Sequence, residues 1–390
     1  MSLDRRRFIV AAAGALAGTA GVLAARSQDG STLGTTKKER TDEPAAAAGQ
    51  TGSILVLGGT GFLGPQVVEA ARRRGFTVTL FNRGKTRPTL FPDIEKLHGD
   101  RDPKKGEGLK ALEGRSWDAV VDTSGYYPRL VKASAEMLAD HVKQYVFIST
   151  LSVYKSNDTP GMDESAEVGT IPDPTVETMG NGYENYGPLK ALCEQAAETA
   201  LPGRATIIRP GFIVGPEDFS GRFNYWPLRV REGGRMIAPG SPEVPIQLID
   251  VRDLGDWIVH TIERRIVGTF NATGPKDPLT TKAMLEACVA ASGVTPEFVW
   301  VPVSFLEAQG VGIGAEMPIW LPSEGETAGF HRRSVRKAIA NGLTFRPLKD
   351  TCAAILAWYD GLDAEKQKRF RAGWSSEREA EVLKAWEEKK

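Results

Sequence analysis

Short apolar runs alternate with stretches of helical period from Ser53 onward. "SILVL" (53–57) has strand character and breaks at once into Gly58-Gly59-Thr60-Gly61-Phe62-Leu63-Gly64. A helical stretch follows through Arg74, Gly75 stops it, and "TVTLF" opens a second strand. Further strands read at the run ending "LHGDRD", at "WDAVVDTSGYY", at the fully apolar "QYVFIST" and at "ATIIRP", with a loop, "GFIVGP", after the last. Strands that are apolar throughout suit a parallel sheet buried on both faces. Their alternation with helices predicts an α/β fold built as a doubly wound parallel sheet.

The pattern before Ser53 is different. Arg5-Arg6-Arg7-Phe8-Ile9 gives a positive start, and Phe8 to Ala25 is an uncharged run of mainly Ala, Gly, Val and Leu. That is the layout of a secretory signal, and the paired arginines followed by Phe-Ile resemble the twin-arginine type. Residues 1–25 are therefore expected to be a twin-arginine signal peptide cut after Ala25, with a periplasmic or other extracytoplasmic destination. A membrane anchor is the alternative, if cleavage fails; the run is short and weakly apolar for a spanning helix. Residues 26–52 are polar, small and aperiodic, and read as a flexible linker.

Composition narrows the classes. Lys+Arg and Asp+Glu balance at 49 each, so no net field draws the chain to nucleic acid. Cys193, Cys288 and Cys352 are far apart and odd in number, which reads as buried free thiols. Four histidines without ligand spacing point to no metal. The expected partner is a small-molecule substrate, and a homodimer is compatible with this reading.

The glycine turn sits between a strand and a helix within a βαβ unit, the context in which it binds a dinucleotide. Glycines let the backbone approach a pyrophosphate, and the free N–H groups at the helix start favour its charge. Gly58-x-x-Gly61-x-x-Gly64 resembles the short-chain dehydrogenase/reductase superfamily in its extended, sugar-nucleotide-epimerase-like branch. That resemblance implies a Rossmann NAD(P)-binding domain over 53–215. It also implies a smaller substrate-binding region over 216–374, with 245–262 ("VPIQLIDVRDLGDWIV" within it) returning to the core. The second strand ends at Asn82-Arg83, where an acidic residue usually meets a cofactor lacking a 2′-phosphate. Arg83, with Lys85 and Arg87 nearby, favours NADP over NAD; solvated loop charges are the alternative reading. The resemblance places Asp100, followed by Arg101, at the adenine, Thr123-Ser124-Gly125 beside the cofactor, and Pro210 ahead of a loop covering the nicotinamide.

Two further segments complete the resemblance. Thr150 in "ISTLSVYK" falls on the superfamily's catalytic Ser/Thr position, and Tyr186-x-x-x-Lys190 opens a helix with both side chains on one face. A free phenol titrates near pH ~10 and is a poor base. A lysine cation one turn away and a positive nicotinamide ring would stabilise the phenolate. The implied chemistry is an oxidoreductase or epimerase acting on a hydroxyl, with Tyr186 as base, Thr150 orienting the substrate oxygen and Lys190 holding the cofactor.

The departures carry information too. Leu151 and Ser152 stand where sugar-nucleotide dehydratases carry an acidic pair, which argues against dehydration. "VTLFNRGK" and "ISTLSVYKS" also resemble an atypical branch that includes chloroplast stem-loop-binding proteins, some of which bind RNA. In the second half, Arg222, Asn224, Tyr225 and Trp226 read as sugar contacts, with a core role the alternative for Tyr225 and Trp226. "HRRSVRKAIANGL" reads as a basic helix ended by Asn341-Gly342, with a solvated face, phosphate binding being the alternative. Residues 375–390 read as a C-terminal helix capped by Ser376 and Glu379.

Overall fold

The computed structural model describes residues 52–218, 220–369 and 372–389; the expected signal peptide (1–25) and the expected linker as far as residue 51 lie outside them, and Gly52 opens β1. The first half runs β1 (Gly52–Leu57), α1 (Leu63–Arg73), β2 (Phe76–Asn82), β3 (Glu95–His98), β4 (Trp117–Asp122), α2 (Pro128–Leu138), β5 (Val142–Ile148), α3 (Tyr186–Ala200) and β6 (Ala205–Pro210). Next come β7 (Phe212–Val214), α4 (Tyr225–Glu232), β8 (Arg235–Pro239), β9 (Pro245–Asp250), α5 (Val251–Glu263) and β10 (Gly268–Ala272). The chain ends with β11 (Gly274–Thr280), α6 (Thr281–Ser292), β12 (Glu297–Val301), α7 (Val303–Ala308), α8 (Arg336–Ala340), α9 (Leu348–Asp360), α10 (Ala364–Arg369) and α11 (Ser376–Lys389).

The main sheet has the order β10-β6-β5-β4-β1-β2-β3, and every pairing in it is parallel. Along β1, Ile54 and Val56 enter the core on the face covered by α1 and α5, while Leu55 and Leu57 enter the opposite core with α2 and α3. All four are fully buried, which is why the strand reads as continuous rather than alternating. The strand order reverses between β1 and β4, so a crevice opens at their carboxyl ends.

The segment 205–214, read as a strand followed by a covering loop, is two strands. Gly211 turns the chain out of the main sheet, and β7 pairs instead with β9 in a smaller sheet, β11-β9-β7. A side chain at Gly211 would meet the Thr273 hydroxyl at 2.5 Å, so glycine lets the chain pass Thr273 closely at this turn. Besides α5, which packs on α1, β10 joins the main sheet next to β6. A second core, centred on Phe223, Tyr225, Trp226 and Trp320, holds the other lobe. Of the two readings for Tyr225 and Trp226, the structure takes the core one.

The tail is a helix, but its capping differs from the expectation. Ser375, one residue earlier, accepts the Arg378 amide at 3.2 Å. Glu379 is buried instead, accepting Arg229 Nε at 2.6 Å and the Ile237 amide at 2.9 Å. The basic segment is also not wholly solvated. His331 and Arg333 are buried, His331 bridging the Gln247 amide and the Ile319 carbonyl at 2.9 Å each.

Candidate active site

The glycine turn leaves β1 with Gly58 and Gly59 at φ +115° and +88°, conformations that L side chains rarely adopt. A Cβ on Gly58 would meet the Thr123 hydroxyl at 2.4 Å, and one on Gly64 would lie 2.6 Å from the Gly59 backbone. The turn is thus clamped between β4 and its own helix. Gly61 has nothing within 4 Å of its Cβ direction and faces the open groove. At α1 no side chain caps the first turn and no acidic residue lies in it, so its amides are left for an anion. This cradle fits a dinucleotide pyrophosphate.

From here the groove runs in two directions. One arm, with a cavity volume of about 580 Å³, is lined by Thr60, Asn82, Arg83, Asp100, Arg101, Thr123 and Ser124, among others. The other, about 210 Å³, is lined by Phe62, Leu63, Gly64, Thr150, Tyr186, Lys190, Pro210 and Arg222, among others. The arms meet at Gly61, Thr123 and Tyr126. The fold therefore gathers nearly all the residues singled out in the sequence along one groove; Gly125 alone contributes to it indirectly.

Asn82 ties the turn down, donating to the Gly58 carbonyl at 3.3 Å and accepting the Gly84 amide at 2.8 Å. Thr123 and Ser124 donate to the Leu57 carbonyl at 2.9 and 3.2 Å. Asp100 accepts the Asp102 amide at 2.9 Å from a half-buried position. Arg101 lines the groove but spends its guanidinium inward, on Asp122, on Ser124 at 3.2 Å and on Ser134 at 2.8 Å. It is a strut under the cofactor edge more than a ligand for it. Arg87 is likewise committed: it donates to the Thr60 carbonyl at 2.9 Å, to the Gly61 carbonyl, and to Glu217 at 2.6 Å. Of the three basic residues near the ribose end, Arg83 and Lys85 remain exposed on the groove wall.

In the smaller arm, Tyr186 opens α3 directly after Asn185. A Cβ on Gly187 would lie 2.1 Å from the Ser152 carbonyl, so glycine lets the helix start press against the Leu151–Val153 turn. Thr150 caps that turn, accepting the Ser152 amide at 3.1 Å. Its hydroxyl lies against the Tyr186 phenol. Lys190, one turn on, is buried and points elsewhere: Nζ donates to the Gly125 carbonyl at 2.7 Å and to the Ile148 carbonyl at 2.6 Å. Nζ also lies 4.1 Å from the Phe147 ring centre. One of its three N–H groups is left for a ligand.

Burial pushes the Tyr186 phenol above its ordinary value, the Tyr126 phenol adds to this, and the Thr150 hydroxyl and the Arg222 guanidinium pull it back. Lys190 is itself lowered to about 8, chiefly by burial. The i, i+4 spacing put both residues on one face, but two backbone carbonyls hold the lysine tip. Tyr126, half-buried at the junction of the arms and raised to about 12 by desolvation, lines both arms, a place the sequence pattern does not assign it. Its only signal was its place at the end of a sheet strand.

A family model, "NAD dependent epimerase/dehydratase family", matches residues 54–272. The chain belongs to that family. Among curated proteins it is 27% identical over 285 residues to the chloroplast stem-loop binding protein of 41 kDa b from Arabidopsis thaliana, covering 67% of this chain and 70% of that one. It is 25% identical to the epimerase family protein SDR39U1 of Bos taurus, covering 65% and 85%. Among solved structures, Bordetella bronchiseptica WbmH in complex with NAD+ aligns with TM-score 0.57 and 17% identity, covering 80% and 99%. Human SDR39U1 with NADPH aligns with TM-score 0.51 and 22% identity, covering 80% and 100%. These similarities extend the shared fold beyond residue 272. NAD(P) is the cofactor these relatives support for this epimerase/dehydratase-family chain, and the cradle at Gly58–Gly64 fits its pyrophosphate.

Proposed function

We propose that the chain is an NAD(P)-dependent oxidoreductase or epimerase acting on a hydroxyl of a sugar-like or polyol substrate. The observation that carries this is the meeting of Thr150, Tyr186 and Lys190 in one small arm of the groove, opposite the pyrophosphate cradle. When bound, the oxidised cofactor supplies a hydride acceptor and a positive ring. Thr150 orients the substrate hydroxyl, Tyr186 takes its proton, and Lys190 offers its remaining N–H to the ribose. Because burial raises the Tyr186 phenol, its base form depends on positive charge around it, which Arg222 already supplies in part.

The signal-like start supports export through a route that carries folded proteins. A nicotinamide released outside the cytoplasm would have no obvious partner to recycle it. That favours chemistry in which the cofactor is held tightly and returns to its starting state, as in epimerisation. Protein purified from its native compartment tests both points by mass and absorbance. Retained NAD(H) or NADP(H) supports the reading and names the cofactor, with NADP expected from Arg83 and Lys85. An empty site without measurable affinity sinks it. RNA binding is the second reading, favoured by the similarity to a stem-loop binding protein. A formal net charge of zero supplies no phosphate-seeking field against which to build it. Salt-dependent retention of RNA by the purified protein would favour it.

A further inference from the structure

The smaller arm has an unbalanced charge lining. Among the described residues that line it, the ionised side chains are Lys190 and Arg222, both cations, and there is no carboxylate. Lys190 is turned onto two carbonyls. Arg222 is not so occupied. Its Nε donates to Ser220 Oγ at 2.8 Å, and its guanidinium lies 5.3 Å from the ring centre of Phe212. Among the described residues no carboxylate comes within ion-pair distance of it. The acid that acts on it is Asp218, which is buried and lies beyond ion-pair distance; its Oδ1 accepts the Ser220 amide at 2.9 Å and the Ser220 hydroxyl at 2.6 Å, and its Oδ2 has no hydrogen-bond partner among the described residues. The fork of the guanidinium is left for a ligand, beside the Tyr186 phenol.

The space is small. About 210 Å³ is below the roughly 300–1,000 Å³ of drug-sized ligand sites. Phe212 and Phe330, with ring centres 5.5 Å apart, wall it with apolar surface. A cation on such a wall is costly unless an anion arrives to share its hydrogen bonds. An arginine fork matches a carboxylate through two parallel hydrogen bonds.

We infer that the substrate is a sugar-sized hydroxy acid, and that Arg222 is the residue that selects it by holding its carboxylate while a hydroxyl meets Thr150 and Tyr186. This rests on the proposed oxidoreductase reading for the hydroxyl, not for the carboxylate. It also answers the charge question: bound oxidised cofactor would add a third positive centre, and a substrate anion offsets it.

The test is calorimetric binding to the cofactor-loaded protein, using D-gluconate, its uncharged amide D-gluconamide, D-glucitol and D-glucose 6-phosphate. Gluconate is expected to bind at least about 10-fold more tightly than gluconamide or glucitol. Arg222→Gln should erase that preference, and Arg222→Lys, which keeps a point charge without the fork, should keep part of it. The acid–amide comparison uses the unaltered protein, so it stands even if Arg222→Gln does not fold. Equal binding of acid and amide, a preference that survives Arg222→Gln, binding of the phosphate ester but not the acid, or no binding of the acid would each overturn the inference. Arg222-dependent binding of gluconate with neither a transient absorbance change at the nicotinamide band nor any oxidised or epimerised product by mass spectrometry and NMR would uphold the anchor and overturn the oxidoreductase or epimerase reading instead.

Discussion

The cofactor cradle makes a prediction that separates two glycines of one turn. In Gly64→Ala, the new methyl would start 2.6 Å from both Cα and the carbonyl carbon of Gly59, backbone atoms that cannot rotate aside. Ordinary contact begins near 3.4 Å, so α1 must retreat or the turn must advance by about 0.8 Å. Retreat is blocked on the other side of α1. A Cβ on Gly255 of α5 would already meet the Gln66 backbone at 2.8 Å, which shows how closely the two helices touch. The turn therefore moves into the groove. Overpacking of this kind costs about 1–3 kcal/mol, and a misplacement near 1 Å can cost about 100-fold in a positioned interaction.

Gly61→Ala is the control. Its methyl meets nothing within 4 Å and needs no unusual φ, so the apo fold should be untouched, while the methyl projects where the cofactor would lie. The assay is a thermal melt by circular dichroism paired with a fluorescence titration of NADH and NADPH. Gly64→Ala should lower both melting temperature and affinity; Gly61→Ala should lower affinity alone. If Gly64→Ala melts and binds like the parent, the close approach of helix and turn is wrong. If Gly61→Ala lowers the melting temperature, the open face assigned to Gly61 is wrong.

Three other outcomes are expected. Tyr186→Phe should keep cofactor affinity and lose turnover by about 10²–10⁴-fold, and unchanged turnover in a steady-state assay removes the tyrosine from the chemistry. His331, buried and lowered to about 4 from 6.5, binds its proton less readily folded than unfolded. Its contribution to stability is complete above about pH 6.5 and lost as pH falls toward 4, a difference of about 3 kcal/mol. Denaturant melts of the parent and of His331→Gln across that window should converge in slope if another group is responsible. Glu379→Ala strands the buried Arg229 guanidinium and the Ile237 amide, and should cost about 3–5 kcal/mol by chemical denaturation, whereas Ala at exposed Glu377 should cost little.

Much of the fold was legible because its signals are local. Continuous apolar strands, a glycine turn at a strand end and a helix after it can be read within thirty or so residues, and the parallel sheet follows from them. What could not be read are partners supplied from a distance. Glu379 at the expected capping position is taken by Arg229, which stands in another element far back in the chain. His331 and Arg333 look like part of a solvated basic stretch until β9 supplies Gln247 to bond both segments, His331 through its amide and Arg333 through its side chain. Gly211 looks like one more glycine in an apolar run, and only the neighbouring Thr273 shows why the turn there takes glycine.

The same distinction governs the active site. Spacing placed Tyr186 and Lys190 on one helical face, but it is silent on what each tip meets. The Gly125 and Ile148 carbonyls that hold Lys190 come from the ends of two other strands, so the lysine secures the floor of the groove as much as it serves a ligand. Arg222, which stands in the second lobe ahead of α4, is a cation that favours the phenolate. Base strength at Tyr186 is therefore tied to how that lobe sits, and to whatever anion Arg222 holds. An acid bound to the fork withdraws part of the stabilisation of the phenolate just as the oxidised nicotinamide ring provides its own. On the proposed reading, the oxidised nicotinamide ring is then the charge that keeps the phenolate accessible once Arg222 is shared with the acid.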